Sequence, residues 1–166
     1  MLADAGRAAA GRNSAGERSL DVVVGPTTGG VLLAYEVAKQ LGVRGFFAES
    51  VTSPDGTSQS EFRRGFRINP GEKVFLVDDV VTTGASLLEM IPAIEASGGE
   101  LVATAVIVDR SGELDELTSP TTGAVYNATA LWSLNLPTYE PGAGSCPGCA
   151  AGLPLEAPGS SGTSAV

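Results

Sequence analysis

Residues 74–86 read VFLVDDVVTTGAS: four apolar residues, two adjacent aspartates, two valines, then hydroxyl and small residues around a glycine. An unbroken apolar run of this length marks a strand covered on both faces. The reading is a buried strand over Lys73–Val77, with Asp78 and Asp79 where that strand ends. From Gly84 the residues Leu87, Leu88, Ile91 and Ile94 recur at helical spacing as far as Gly98 and Gly99, and Pro92 is expected to kink or shorten the helix. Upstream, LDVVV (Leu20–Val24) is a second buried strand that meets the breaker Gly25-Pro26. A helix follows through Val31, Ala34, Val37, Ala38 and Leu41, with Gly42 as its stop. Further strands are predicted over Arg44–Ala48, Leu101–Val108 and within Val125–Leu134, and Glu61–Ile68 reads as extended. Residues 50–60 (SVTSPDGTSQS) are polar and turn-forming, as in a mobile surface loop or hairpin tip. Strands alternating with helices predict an α/β fold: a mainly parallel open sheet with helices on both faces and right-handed crossovers.

Composition narrows the chemistry. A chain of 166 residues forms one ordinary core, and its net charge of -9 lacks the basic surface that nucleic-acid binding needs. There is no histidine, which removes histidine general bases, Ser-His triads and histidine metal sites. No apolar run is long enough to span a membrane, and the N-terminus lacks the apolar segment of a secretory signal, so a cytoplasmic location is expected. The organisation reads as a short N-terminal segment (1–19), the α/β domain (20–136) and a Pro-, Gly- and Ser-rich C-terminal segment with a disordered tail (137–166). Trp132 and Tyr139 are expected to be packing residues. Cys146 and Cys149 form an isolated C-x-x-C, expected to be a structural turn with reduced thiols; half a zinc site or a redox pair are the alternatives.

Two ionised carboxylates side by side repel each other and lose hydration, so a ligand should offset their cost. In open α/β sheets ligands bind beyond the carboxyl ends of the strands. Adjacent carboxylates accept hydrogen bonds from a vicinal diol or bind metal-bound water, and TTGAS offers hydroxyls and free N–H groups at a helix start, which suits a phosphate. Together they describe a ribose 5-phosphate site. The loop GPTTGG (25–30) fits G-x-x-x-x-G, but Val31 and Leu32 stand where a P-loop needs Lys and Ser or Thr, and G-x-G-x-x-G is absent.

The 74–86 stretch resembles the phosphoribosyl pyrophosphate (PRPP) signature of type I phosphoribosyltransferases. The resemblance runs from about Leu20 to Pro154 and is greatest to the orotate-specific branch, on GPTTGGVLLAYEVAKQLG, VDR (108–110) and LWSLNLPTYEPG followed by CPGCAAGLPL. It implies that Asp78 and Asp79 are the catalytic pair that holds the ribose hydroxyls. It implies PRPP binding over Asp78, Asp79, Val80, Val81, Thr82, Thr83, Gly84, Ala85 and Ser86, with Thr82–Ser86 around the 5-phosphate. Thr27, Thr28, Gly29 and Gly30 match the pyrophosphate loop, and Thr82 and Arg110 the orotate contacts. A guanidinium pairs bidentately with a carboxylate that other bases lack; a surface pairing of Arg110 with Asp109 or Glu113 is the plainer alternative. Mg²⁺ is the implied cofactor, held mainly through PRPP rather than by a protein metal site. The implied substrates are PRPP and orotate, and the implied assembly is a homodimer with neither nucleic acid nor membrane as partner. The implied reaction is transfer of ribose 5-phosphate to orotate; a non-catalytic PRPP-binding regulator, or a transferase for another base, are the alternatives. Two departures stand out. About twenty residues precede the first strand where the family carries a hood over the base, which reads as a truncated hood. The 50–60 loop lacks the lysine that relatives donate to pyrophosphate across a dimer; Arg63, Arg64 and Lys73 flank it.

Overall fold

The computed structural model describes residues 1–9, 20–53, 56, 58–137, 139, 144 and 146–154. The chain divides into two compact units, Met1–Asn135 and Leu136–Val166. The first unit runs α1 (Leu2–Ala9), β1 (Val22–Pro26), α2 (Gly29–Leu41), β2 (Arg44–Thr52), β3 (Ser58–Glu61), β4 (Lys73–Val81), α3 (Ala85–Ala96), β5 (Glu100–Asp109), β6 (Glu116–Thr118) and β7 (Val125–Ser133). The second contains the short α4 (Pro147–Ala150).

Seven strands form one sheet in the order β3-β2-β1-β4-β5-β7-β6. The inner five are parallel, and β3 and β6 pair antiparallel at the edges. The apolar runs explain the centre. Val22, Val23 and Val24 of β1 are fully buried, as are Val74, Phe75, Leu76 and Val77 of β4, because each strand is covered on both sides. Their alternation feeds two cores. Val22, Val24, Val74 and Leu76 pack with Leu87, Met90, Ile91 and Ile94 of α3. Val23, Phe75 and Val77 pack with Leu2 and Ala3 of α1 and with Ala34, Val37 and Ala38 of α2. Each large side chain so buried contributes about 1.5–3 kcal/mol, and truncating Leu76 to alanine would cost about 2–5 kcal/mol.

The mainly parallel α/β sheet is as expected, and of the two forms expected for 50–60 the structure has the hairpin, with β2 continuing to Thr52 and β3 returning antiparallel to it. The details differ in three places. β4 runs on to Val81 rather than stopping at Val77, because pairing with β5 continues to Val81↔Asp109; the two aspartates therefore lie within the strand. α3 passes through Pro92 to Ala96. The N-terminal segment carries α1, which covers the sheet so closely that a Cβ on Gly6 would stand 2.7 Å from the Phe75 ring.

Glu95 joins α3 to the turn before β7. Its carboxylate accepts hydrogen bonds from the hydroxyls of Ser119 (2.9 Å), Thr121, Thr122 (2.8 Å) and Tyr126 (2.8 Å). Burial pushes its pKa up, but these donors outweigh that and hold it below the usual range. Tyr126, partly buried against this charge, is pushed up to about 12.

Candidate functional site

β1, β4 and β5 lie side by side and parallel, so their carboxyl ends and the loops that follow converge. Asp78 and Asp79 are consecutive on β4 and their side chains diverge, as strand geometry requires. Asp78 turns toward α3 and is 4% exposed. Its Oδ1 accepts the Asp79 N–H at 2.9 Å, and its Oδ2 accepts the Ser86 hydroxyl at 3.2 Å. Burial pushes its pKa up to about 6; the Asp79 N–H opposes the shift, and the negative charge of Asp79 adds to it. Asp79 turns the other way, is exposed, and accepts the Val80 N–H at 2.7 Å.

The carboxylate of Asp79 lies against the β1–α2 loop. A Cβ built on Gly29 would stand 2.1 Å from its Oδ2, so a side chain at position 29 would have to push the Asp79 carboxylate aside. Within the loop, a Cβ on Gly25 would meet the Gly30 carbonyl oxygen at 2.5 Å, and one on Gly30 would meet the Pro26 ring at 2.6 Å. Thr27 and Thr28 are exposed, and the Thr27 N–H is anchored on the Ala48 carbonyl at 3.2 Å. The Thr27–Thr28 peptide is cis. A hollow of about 180 Å³ lies between Thr27, Ser86 and Glu89.

On the other side of β4, Thr82–Gly84 bend into α3. Gly84 has φ 78°, a left-handed conformation that glycine alone adopts freely, and it is the residue from which α3 starts. Thr82, Thr83, Ala85 and Ser86 are exposed, and the Thr83 hydroxyl accepts the Ala85 N–H at 3.4 Å. The N–H groups of a twelve-residue helix open here toward solvent, an arrangement that favours an anion. A cleft of about 400 Å³ runs between Thr82–Gly84 and the 111–118 segment. Of the two valines in the signature, Val80 is partly exposed, whereas the Val81 side chain belongs to the core. Only the backbone of Val81 faces the site.

That backbone carries Arg110. The Val81 carbonyl accepts the Arg110 N–H at 2.8 Å. Among the described residues the guanidinium has no ion-pair partner, so the surface pairings with Asp109 or Glu113 are not formed. Asp109 is 1% exposed and instead accepts the Ser111 N–H (2.8 Å), the Ser111 hydroxyl (2.6 Å) and the Leu114 N–H (3.2 Å). Burial raises its pKa, and the hydrogen bonds from Ser111, Leu114 and Gly112 more than reverse this. Sequence reasoning missed Asp109 as the organiser of this loop. The signal was the run DRSG, a carboxylate followed by turn formers.

The flanking cations do not gather here. Arg63 pairs with Glu61 and Arg64 with Glu49. Lys73 opens β4, roughly 17 Å from Asp78 at about 3.3 Å per strand residue. Trp132, expected to pack, pairs in register with Val108 near the site and is 60% exposed. Tyr139 is 40% exposed.

A family profile described as phosphoribosyl transferase domain matches residues 1–128. The chain belongs to this family. Phosphoribosyltransferase neighbours agree in fold: adenine phosphoribosyltransferase from Rhodothermus marinus superposes with TM-score 0.54 at 24% identity, over 71% of this chain and 72% of that one. Purine phosphoribosyltransferase from Pyrococcus horikoshii gives 0.55 at 19%, over 84% and 87%. Curated relatives in sequence include orotate phosphoribosyltransferases. That of Caldicellulosiruptor saccharolyticus is 45% identical over 87% of this chain and 68% of its own length. That of Thermotoga maritima is 41% identical over 86% and 69%. The phosphoribosyltransferase chain thus spans about two thirds of these relatives' length.

Proposed function

We propose that this phosphoribosyltransferase transfers the ribose 5-phosphate of PRPP to orotate, giving orotidine 5-monophosphate and pyrophosphate, a step of pyrimidine nucleotide synthesis. The observation that carries the reading is Arg110: its guanidinium has no ion-pair partner among the described residues, and its backbone N–H bonds to the carbonyl of Val81 on the strand that holds Asp78 and Asp79. The 41–45% identical relatives named orotate phosphoribosyltransferase support it.

In this reading the 5-phosphate sits on the N–H groups and hydroxyls of Thr82–Ser86. The diol donates to Asp78 and Asp79. Pyrophosphate rests on the backbone of Thr27–Gly30, and the orotate carboxylate pairs with Arg110 beside Thr82. The orotate anion attacks the anomeric carbon through a ring nitrogen as the bond from that carbon to pyrophosphate breaks. No strong protein base is required, in keeping with a chain without histidine. What the chain supplies is orientation, the main lever for joining two bound reactants. No group of three or more His, Cys, Asp or Glu side chains is arranged to hold a metal among the described residues. The oxygen donors present, the two aspartates, suit Mg²⁺ arriving on the diol and pyrophosphate; once bound, the ion would neutralise charge on the leaving pyrophosphate. Homodimerisation and a cytoplasmic setting complete the proposal, and the acidity of the chain argues against nucleic acid as a partner.

The test is pyrophosphate release from PRPP with Mg²⁺, adding orotate, uracil, adenine or guanine separately. Release with orotate alone is expected. Release with adenine or guanine instead would reassign the base, and PRPP binding without release for any base would favour a regulator.

A further inference from the structure

The β2–β3 hairpin presents a wall to the site that the transferase reading leaves unused. Beside Thr27 and Ser86, the hollow of about 180 Å³ is lined by Ser50 and Ser60 of this hairpin. Side chains two apart on a strand share a face. Ser58 shows which way that face turns, because its hydroxyl meets that of Ser50 at 2.8 Å and donates to the Glu89 carboxylate of α3 at 3.3 Å. Ser60 stands two residues from Ser58 and pairs in register with Ser50, so its side chain lies on the same face. Ser60 is 8% exposed, yet its hydroxyl has no hydrogen-bond partner among the described residues. The Thr27 hydroxyl has none there either, whereas that of Ser86 is committed to Asp78. A hydroxyl taken out of water without a partner is costly, and a ligand that fills the hollow would offset that cost.

We propose that Ser60 contacts the leaving group: its hydroxyl, with that of Thr27, donates to pyrophosphate in this hollow. The inference rests on the transferase reading, which sets pyrophosphate on Thr27–Gly30 and the 5-phosphate on Thr82–Ser86. The hollow touches both segments, at Thr27 and at Ser86. At about 30 Å³ per water it has room for about six waters, some of which a phosphate group can displace. Hydrogen bonds from hydroxyls to phosphate oxygens are charge-assisted and roughly twice as strong as neutral ones. Among the described residues no cation lines the hollow; Arg63 is paired with Glu61 and Arg64 with Glu49. The hairpin thus brings a hydroxyl to a place where the charge of a lysine or arginine is lacking. Glu89 is the one charged side chain on the wall, and its carboxylate favours pyrophosphate that enters with a metal ion over the bare anion. Because the contact is to the leaving group, Ser60 serves PRPP and pyrophosphate and not orotate.

The experiment compares the whole chain with Ser60→Ala by calorimetry, using pyrophosphate with Mg²⁺ and, separately, ribose 5-phosphate. The variant is expected to bind pyrophosphate about tenfold more weakly and ribose 5-phosphate within about twofold of the parent. In steady-state assays the KM for PRPP should rise in the same proportion as the pyrophosphate affinity falls, with the KM for orotate unchanged. The melting temperature should not fall, because alanine removes a hydroxyl that bonds nothing in the free protein. Pyrophosphate affinity unchanged by the substitution would overturn the proposal. So would equal weakening of both ligands, which a general disturbance of the site would give, or a variant that melts lower or fails to fold, which would make the hydroxyl a part of the fold. A parent chain that binds no pyrophosphate would overturn the transferase reading along with the proposal, whereas a parent that binds it as tightly as the variant does would overturn the role of Ser60 alone.

Discussion

Asp78→Asn should make the ligand-free protein more stable at neutral pH and unable to bind PRPP. The Asp78 carboxyl is pushed up to about 6 in the folded chain from an ordinary value of 3.8, chiefly because it is buried. A raised carboxylate pKa means that the folded state prefers the protonated form. The associated stability is fully present below pH 3.8 and is lost as pH rises through 6. At 1.36 kcal/mol per pKa unit, ionisation costs the fold about 0.5 kcal/mol at pH 4, about 1.6 at pH 5 and about 3 at pH 7. Asparagine carries no charge, yet it can accept the Asp79 N–H and meet the Ser86 hydroxyl. Urea unfolding of both proteins from pH 4 to 7 should therefore show the variant gaining on the parent by about 2–3 kcal/mol across the series. Calorimetry should show PRPP binding abolished. A gap that does not change with pH, or a variant less stable at pH 7, would refute the claim that Asp78 is held in the fold at a cost.

Gly29→Ala pushes the exposed Asp79 carboxylate out of place; PRPP affinity should weaken roughly tenfold, about 1.4 kcal/mol, by calorimetry, with thermal stability little changed because Asp79 lies at the exposed rim. Asp109→Asn removes one charged acceptor from the 109–114 loop, so the KM for orotate should rise about tenfold and that for PRPP less than about threefold in steady-state assays. An equal rise in both would show that the loop acts on the whole site rather than on Arg110. Glu95→Gln should lower the melting temperature by about 4–8 °C at pH 7, from a loss of roughly 2 kcal/mol. Because the Glu95 pKa is depressed, its contribution is present above 4.5 and fades as pH falls through the folded value, so the difference should close in acid.

The parts legible in the sequence were those where local pattern and tertiary role coincide. VVV and VFLV could only be strands buried on both faces, and Leu87, Ile91 and Ile94 could only be one helix face. The strand continued past Val77 because β5 supplies partners as far as Asp109, and a pairing partner is invisible in a local window. α1 was missed because its apolar content is small: Leu2, Ala3 and Gly6 look like an undistinguished alanine-rich stretch, and it is the Phe75 ring opposite that makes them core. Trp132 misled in the other direction, since aromatic character says nothing of whether a neighbour covers it. At the site, residue identities were readable while their connections were not. The hydrogen bond from Arg110 to the Val81 carbonyl and the three bonds onto Asp109 join residues that the sequence presents as a plain strand end.

The adjacency of the two aspartates has a geometric reason. Carboxylates two apart on a strand would lie on one face and serve one neighbour. Consecutive ones diverge, Asp78 toward α3 through Ser86 and Asp79 toward Gly29 at the start of α2. The two helices cover opposite sides of the sheet, so a single strand end meets the anion-suited turn at Thr82–Ser86 on one side and the 27–30 loop on the other. A sugar held between the two carboxylates would then have one phosphate reachable on each side of β4. This divergence also accounts for the difference between the two acids. The packed α3 side buries Asp78 and makes its charge costly, while the open loop side leaves Asp79 in water. In the proposed complex, hydrogen bonds from the ribose hydroxyls would offset the cost that Asp78 carries in the free protein.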